Sequence, residues 1–410
     1  MIGNENMTPE KWQLRYWSVF IGQGFSLVGS SLTQFVLMWW ITDKTGSVTY
    51  LATAGLAALL PQALLSPLGG VLADRYSRRL LMIVADAISA VCMMVLISLF
   101  LTDNIQLWHI YLMMSIRGAM QAFQSPASSA SVAMLVPKSF LTRAAGLNQT
   151  MQGITLMASA PLGALAISVV PLGWALSIDV FTAILGIVPL LIFTIPQIRQ
   201  QSGKTSLNSI KNEFMEGFSL VWKNQGLRRL YGLVSCVILI IMPTFTFIPL
   251  LVKEYFKGGV IEVGIMEGLA GLGMIVGGLI VATISPKRKI VWILTGSAIS
   301  CLTLSFVALT PPHLFWIAVV WWVTSSLTFI FSNAPLTALL QTIIPNQIQG
   351  RALSLLNTIM TLAAPIGIAL ATPLGELFGI RWLFIIVGIL GTIVSLLGFA
   401  SGHLRKLDKH

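Results

Sequence analysis

Residues 69–79 read Gly-Gly-Val-Leu-Ala-Asp-Arg-Tyr-Ser-Arg-Arg, and the start of this stretch returns as Gly277-Gly278, at an offset of 208 residues. The same offset relates four more pairs of residues: Ser77 and Ser285, Pro137 and Pro345, Arg143 and Arg351, Trp174 and Trp382. A chain of 410 residues that repeats at half its length predicts two copies of one structural unit. If the copies are membrane bundles, a substrate is expected to bind at the seam between them.

The composition indicates that lipid is the main solvent of this chain. Hydrophobic residues make up 56% and charged residues 10%, and the mean hydropathy is +0.85. A soluble domain carries roughly 25% charged residues, so a water-facing surface over the whole molecule is excluded. The net charge of +11 would suggest a nucleic-acid partner in a soluble protein. Here the basic residues lie in short loops between apolar runs, and we expect no nucleic-acid partner.

Twelve apolar runs are long enough for a membrane helix, which needs about 20 residues. Helices are expected because the bilayer core offers no water to backbone groups. The sequence therefore predicts an all-α integral membrane protein with two six-helix bundles, at 1–196 and 227–410, and a cytoplasmic linker at 197–226 that holds a surface helix near 212–222. The predicted spans are 17–41, 48–72, 79–101, 106–127, 143–169, 172–194, 227–252, 261–284, 289–309, 313–340, 351–373 and 380–402.

The basic residues predict the orientation, because cytoplasmic loops are enriched in Lys and Arg. One set of loops and both termini hold twenty of the twenty-five: Lys11, Arg15, Arg75, Arg78, Arg79, Lys138, Arg143, Arg199, Lys204, Lys211, Lys223, Arg228, Arg229, Lys287, Arg288, Lys289, Arg351, Arg405, Lys406 and Lys409. The opposite loops hold Lys44, Lys253, Lys257 and Arg381. Both termini are therefore expected in the cytoplasm.

The sequence shows no pattern typical of a catalytic site or a metal site. The cysteines Cys92, Cys236 and Cys301 lie in apolar segments, and the four histidines are scattered at segment ends and in the tail. This pattern predicts no disulfide framework and no metal site. There is no nucleophile–base spacing and no phosphate-binding motif of the G-x4-G-K-[ST] type. We expect neither an enzyme nor a cofactor, and no direct use of ATP.

The loop at 69–79 resembles the cytoplasmic loop signature of the major facilitator superfamily, G-x-L-a-D-R-x-G-R-R, with Ser77 at the usual second glycine. Gly70 is expected to allow a close helix approach, and Asp74 to pair with a loop arginine or to cap a helix. Such contacts predict a latch that closes the cytoplasmic side. The alternative is plain anchoring by positive charge. The predicted latch residues are Gly70, Asp74, Arg75, Arg78 and Arg79.

Three charged residues lie inside predicted spans of the first half: Asp86, Arg117 and Asp179. Arg117 follows the pattern Leu112-x4-Arg117-Gly118, which resembles the arginine-bearing fourth helix of the superfamily. A charge inside the bilayer costs several kcal/mol unless it is paired or hydrated. The second repeat has neutral residues at the equivalent positions, 208 residues further on. Leu294, Ser325 and Val387 correspond to Asp86, Arg117 and Asp179, and Ala282 corresponds to Asp74. This asymmetry predicts proton coupling in the first half; structural pairing with Arg117 or loop capping is the alternative.

Further motifs resemble one branch of the superfamily. Residues 153–163 resemble the Gly-Pro antiporter motif, although Ala160 replaces the glycine before Pro161. Together with Gly22-Gln23 and Ile178-Asp179-Val180, they resemble the macrolide-efflux type of the third drug:proton antiporter group. The resemblance implies proton-driven export of hydrophobic or amphipathic solutes across a bacterial inner membrane. An exporter of siderophores or other metabolites and an importer or facilitator remain alternatives, as does a non-transporting receptor.

If the superfamily arrangement holds, the walls of the substrate cavity come from spans 1, 4, 7 and 10. Their Met, aromatic and amide side chains suit a bulky amphipathic ligand, although lipid-facing aromatics explain most of them equally. Glu267, in span 8, is expected to attract a cationic substrate or simply to be hydrated. A monomer holds both halves and needs no partner subunit. The cavity candidates are Gln23, Gln34, Met113, Met120, Gln121, Phe245, Phe247, Glu267, Trp322, Phe329, Asn333 and Gln341.

Overall fold

The computed structural model of the chain describes residues 9–195, 219, 222–284, 286–344 and 346–409. The described residues form helices, turns and short connections, without a strand. The helices are α1 (Pro9–Thr45), α2 (Val48–Arg75), α3 (Arg78–Leu101), α4 (Leu107–Leu135), α5 (Leu141–Val169), α6 (Leu172–Ala175), α7 (Ser177–Ile192), α8 (Gln225–Glu254), α9 (Val260–Ile284), α10 (Lys289–Leu309), α11 (Phe315–Ile343), α12 (Asn346–Phe378), α13 (Ile380–Phe399) and α14 (Gly402–Lys406). Single 3₁₀ turns lie at Lys138–Phe140, Pro312–Leu314 and Leu407–Lys409.

Each of the twelve predicted spans corresponds to a helical segment. By length and composition, eleven of the described segments could cross a membrane. Helix α4 is long enough, at 29 residues, but it carries Arg117, Gln121 and Gln124 along its length and is not among the eleven. The sixth span is interrupted, because α6 ends at Ala175 and α7 begins at Ser177. The fold class predicted from the sequence, an all-α integral membrane protein, is confirmed.

The two repeats use the same helix neighbours. In the first repeat α1 packs on α5 and α7, and α3 packs on α4 and α7. In the second repeat the equivalent pairs are α8 with α12 and α13, and α10 with α11 and α13. The duplication seen in the sequence is therefore a duplication of helix packing.

The chain contacts divide the molecule into two compact units. One comprises Met1–Thr45, Thr53–Gln200 and Val263–Gly268, and the other comprises Gly46–Ala52, Gln201–Glu262 and Leu269–His410. The division between residues 200 and 201 falls inside the predicted linker at 197–226. That linker and its predicted surface helix lie largely outside the described residues.

The C-terminal tail completes the core of the second unit. Leu404 and Leu407 are 1% and 5% exposed, and they pack in one apolar cluster with Leu230 and Ile290. Asp408 Oδ1 accepts a hydrogen bond of 2.8 Å from the backbone N–H of Ile290, in the first turn of α10. A carboxylate there satisfies a free N–H group and complements the helix dipole. Residues 402–408 therefore belong to the folded bundle.

Candidate functional site

The first repeat contains a buried ion pair between Arg117 of α4 and Asp179 of α7. Arg117 Nη2 lies 2.8 Å from Asp179 Oδ2, and the two side chains are 12% and 2% exposed. Helix α1 completes the pair: the hydroxyl of Ser30 donates to Asp179 Oδ1 at 2.9 Å, and that of Thr33 donates to Oδ2 at 3.3 Å. Charge-assisted hydrogen bonds of this kind are stronger than neutral ones. Three helices are thus held together at one carboxylate.

Asp86 belongs to a separate network of amides. Its Oδ2 accepts a hydrogen bond of 3.0 Å from Gln23 Nε2, which also donates to the carbonyl oxygen of Gly186 at 3.2 Å. Gln124 Nε2 donates to Gln23 Oε1 at 2.7 Å. Asp86 is 8% exposed, and among the described residues its bonding partner is Gln23. The structure therefore places the two intramembrane acids in different settings, one paired with a cation and one with an amide.

The second repeat replaces both networks with neutral packing. Leu294 stands at the position of Asp86 and lies, 0% exposed, in an apolar cluster with Tyr231, which stands at the position of Gln23. Ser325 stands at the position of Arg117 and donates to the backbone oxygen of Ser300 at 2.9 Å. Val387 replaces Asp179 and is 5% exposed. The second repeat therefore has the same helix neighbours without these charges.

A cavity of about 240 Å³ adjoins the ion pair. Arg117 and Gly118 of α4 form part of its wall, and three glutamines bring amide groups to it. Two of these, Gln34 and Gln121, were predicted cavity residues, and Gln62 was not. The remaining lining residues are Leu27, Ser30, Ser31, Ala58, Leu59, Ser89 and Met114. Polar groups that face this cavity can meet water or a substrate.

A second cavity, of about 200 Å³, lies between α1, α4 and α5. Leu27 and Gln121 line both cavities, so the two are neighbours. The predicted residue Gln23 lines the second cavity, and the polar residues Tyr16, Gln124, Asn148 and Gln152 line it as well. Sequence reasoning missed these four. For the three amides, the signal was a polar side chain at Gln124 in span 4 and, one turn apart, at Asn148 and Gln152 in span 5; Tyr16 on α1 gave none.

The other predicted cavity residues have varied exposure. Met113 and Met120 are half-buried on α4, outside the lining of both cavities, to which Met114 contributes instead. Phe245 is 36% exposed, and its ring centroid lies 5.5 Å from that of Trp322. Phe247 and Trp322 are buried, at 0% and 1% exposed. Of the remaining candidates, Glu267, Phe329 and Asn333 are half-buried and Gln341 is exposed.

Arg78 and Arg79 of the predicted latch donate hydrogen bonds to carbonyl oxygens of neighbouring helices. Arg78 donates to the carbonyl oxygens of Ala73 and Ala130, at 3.1 and 2.9 Å. Arg79 donates to the carbonyl oxygens of Leu190, and of Leu191 at 2.7 Å, in the last turn of α7. Ala73, Leu190 and Leu191 lie in the last turns of α2 and α7, where a basic side chain satisfies a free carbonyl group and complements the helix dipole. Ala130 lies inside α4, so there Arg78 links two helices. The side chains of Asp74 and Arg75 lie outside the described part of the chain, so their predicted pairing stays a prediction.

The close helix approach predicted at Gly70 occurs at its neighbour instead. A Cβ atom on Gly69 would overlap the carbonyl oxygen of Ala122 on α4, whereas a Cβ on Gly70 would meet nothing within 4 Å. In the second repeat, Gly277 faces Leu327 on α11 in the same way, and Gly278 is open. The prediction for Gly70 was wrong because the sequence does not show which of two adjacent glycines faces the neighbouring helix.

Comparison with known proteins identifies relatives of the whole chain. The family model described as Major Facilitator Superfamily matches residues 19–368. Macrolide efflux protein A of Streptococcus pyogenes is 31% identical over 398 residues, which cover 97% of this chain and 98% of that protein. Macrolide efflux protein A of Enterococcus faecalis is 32% identical over 314 residues, which cover 76% of this chain and 97% of that protein.

A solved structure shows the same fold. The crystal structure of a bacterial homologue of the human lysosomal transporter Spinster superposes with a TM-score of 0.70, over 98% of both chains, at 16% sequence identity. At that identity the similarity concerns the fold alone. The family model and the whole-length relatives also identify the family. This chain belongs to the major facilitator superfamily and is a multi-pass membrane transporter, not an enzyme.

Proposed function

We propose that this protein exports hydrophobic or amphipathic drug-like solutes across a bacterial cytoplasmic membrane in exchange for protons. The direction and the substrate class are supported by the macrolide efflux relatives, which match nearly the whole chain. One structural observation supports proton coupling: Asp179 and Asp86 are buried in the first repeat and both are bonded to α1, whereas the second repeat has Val387 and Leu294 there. A buried acid retained in only one repeat is not needed to build the bundle.

The ion pair could couple protonation of Asp179 to the relative positions of α1, α4 and α7. A proton on Asp179 Oδ2 would neutralise the group that Arg117 binds, and it would weaken the hydrogen bonds that the carboxylate accepts from Ser30 and Thr33. Arg117 would then be free to interact with the cavity of about 240 Å³ whose wall it forms. Because the pair joins α1, α4 and α7, its opening would change how these helices are held together.

Alternating access then follows as a cycle. Substrate enters from the cytoplasm or the inner leaflet while the cytoplasmic side is open. The two halves rock, the loop at 69–79 closes that side, and substrate leaves outward. A proton then enters from outside, through Asp179 or Asp86, and resets the transporter. We propose that one chain, surrounded by lipid, is the transporting unit and that both of its termini are cytoplasmic.

The test is transport into inside-out membrane vesicles. Labelled erythromycin and a cationic dye would be offered with and without an imposed proton gradient. We expect gradient-dependent accumulation by the wild type and its loss in Asp86→Asn, Asp179→Asn and Arg117→Ala. Asp103→Asn is the matched control, because it makes the same exchange in the exposed loop between α3 and α4. Full gradient-driven export by the double variant Asp86→Asn/Asp179→Asn would refute proton coupling through these acids.

A further inference from the structure

The cavity of about 200 Å³ between α1, α4 and α5 is lined by amides and hydroxyls without a charged side chain among its lining residues. We propose that this amide–hydroxyl cavity binds an uncharged, oxygen-bearing ring of the exported solute, such as a neutral sugar. The inference rests on the proposed function, because it assigns part of the same substrate to a specific place in the first repeat.

The polar lining is a consequence of helical periodicity. On α4, Gln121, Gln124, Ser125 and Ser128 lie at spacings of three and four residues, which place them on one face. On α5, Asn148 and Gln152 are four residues apart and share a face in the same way. Two polar helix faces directed into one cavity cost free energy inside a bilayer unless their polar groups find partners in protein, water or a ligand.

Several of these groups have no protein partner. Among the described residues, the side chains of Ser128, Asn148 and Gln152 make no hydrogen bond to protein. The hydroxyl of Tyr16, which also lines the cavity, is buried without a partner, and the whole side chain is 1% exposed. A buried hydroxyl left unpaired in a native structure, as at Tyr16, indicates a water or ligand that completes it. The cavity therefore offers free donors and acceptors.

The chemistry of the lining selects the ligand. Amide and hydroxyl groups donate and accept at once, as do the hydroxyls of a sugar. Leu27, Met82 and Met151 supply apolar surface for the faces of a ring. The volume is below the range of about 300–1,000 Å³ typical for a drug-sized ligand, so the cavity suits one ring rather than a whole drug. The rest of the solute would extend past Leu27 and Gln121 into the neighbouring cavity.

Binding in lipid nanodiscs, measured by isothermal titration calorimetry, tests this assignment. The probes are erythromycin and descladinosyl-erythromycin, which differ by one uncharged sugar and keep the same amine. We expect the wild type to bind erythromycin about tenfold more tightly, because the hydroxyl of this sugar can donate and its hydroxyl and ether oxygens can accept hydrogen bonds from the lining. The double variant Gln152→Leu/Ser128→Ala should bind the two probes equally, through weaker binding of erythromycin alone.

The control variant Gln149→Leu makes the same exchange on an exposed position of α5 outside the cavity lining and should keep the wild-type ratio. Monodisperse size-exclusion profiles would show that all variants are folded. Equal affinity of the wild type for both probes, or an unchanged ratio in the double variant, would overturn the inference while leaving erythromycin export, and so the proposed function, intact.

A second probe separates the two proposals if macrolides are not substrates. Phenyl β-D-glucopyranoside presents one neutral sugar ring. Saturable binding that is lost in Gln152→Leu/Ser128→Ala but kept in Gln149→Leu would support the cavity assignment even if vesicle transport of erythromycin failed. Absence of saturable binding of this glucoside and of erythromycin would overturn the assignment.

Discussion

At the scale of single residues, the central feature is a cation held inside a bilayer by one carboxylate. Arg117 has Asp179 as its ionic partner, and Ser30 and Thr33 orient that carboxylate from α1. The second repeat has Ser325 and Val387 at the two charged positions and keeps the same helix neighbours. We therefore expect the fold to tolerate the loss of both charges together. Removing one partner alone should destabilise it, because the other charge would be left buried and unpaired.

This reasoning predicts a stability cycle. Asp179→Asn leaves an uncompensated buried cation and should destabilise the protein by about 3–5 kcal/mol. The double variant Arg117→Met/Asp179→Val, which copies the neutral character of the second repeat, should recover most of that loss while transport coupling stays absent. Thermal unfolding followed by size-exclusion chromatography would measure both. A double variant as unstable as Asp179→Asn would show that the pair does not behave as one unit.

The sequence alone could identify the charged residues but not their partners. Three charges inside apolar runs were visible directly, and their loss in the second repeat was visible by comparison at the offset of 208 residues. That Arg117 pairs with Asp179, whereas Asp86 bonds to Gln23, depends on the rotation of each helix about its axis. Ser30 and Thr33 gave no signal, because such residues are common in membrane helices and usually bond to their own backbone.

At the scale of helices, contact between α2 and α4 depends on Gly69 and not on Gly70. Gly69→Ala places a methyl group against the carbonyl oxygen of Ala122, and overpacking of this kind typically costs about 1–3 kcal/mol. Gly70→Ala meets open space and should be neutral or slightly stabilising, because alanine is the better helix former by about 1 kcal/mol.

The amount of folded protein in membranes and its melting temperature would compare the two variants. We expect a clear loss for Gly69→Ala and wild-type behaviour for Gly70→Ala. The same comparison can be made in the second repeat with Gly277→Ala and Gly278→Ala. A Cβ on Gly277 would overlap α11, whereas a Cβ on Gly278 would meet nothing within 4 Å. Equal sensitivity of both members of each pair would contradict the packing seen here.

Helix existence was easier to predict than helix detail. Apolar length located all twelve segments, including the more polar α4. The interruption of the sixth span between Ala175 and Ser177 was not predicted, since the mainly apolar run 172–194 has no glycine or proline at that point. Pro189 lies inside α7, near its end. It could not be used to predict that end, because proline also occurs within α2, α4 and α5.

At the scale of the whole molecule, the distribution of basic residues predicts the orientation. Twenty of the twenty-five Lys and Arg residues lie in one set of loops and at the termini, so we expect both termini in the cytoplasm. A fluorescent protein fused after His410 should fluoresce, and alkaline phosphatase fused near Gly258, between α8 and α9, should be active. An active phosphatase at the C-terminus would contradict this topology.

The C-terminal tail has a consequence for biosynthesis. Leu404 and Leu407 fill the core of the second repeat, and Asp408 bonds to Ile290 in the first turn of α10, although the two residues are 118 positions apart in the chain. Residues still inside the ribosomal exit tunnel cannot pack in the membrane. The second bundle therefore cannot finish folding until Leu404, Leu407 and Asp408 have left the tunnel, and a chain truncated before Leu404 would have an open core.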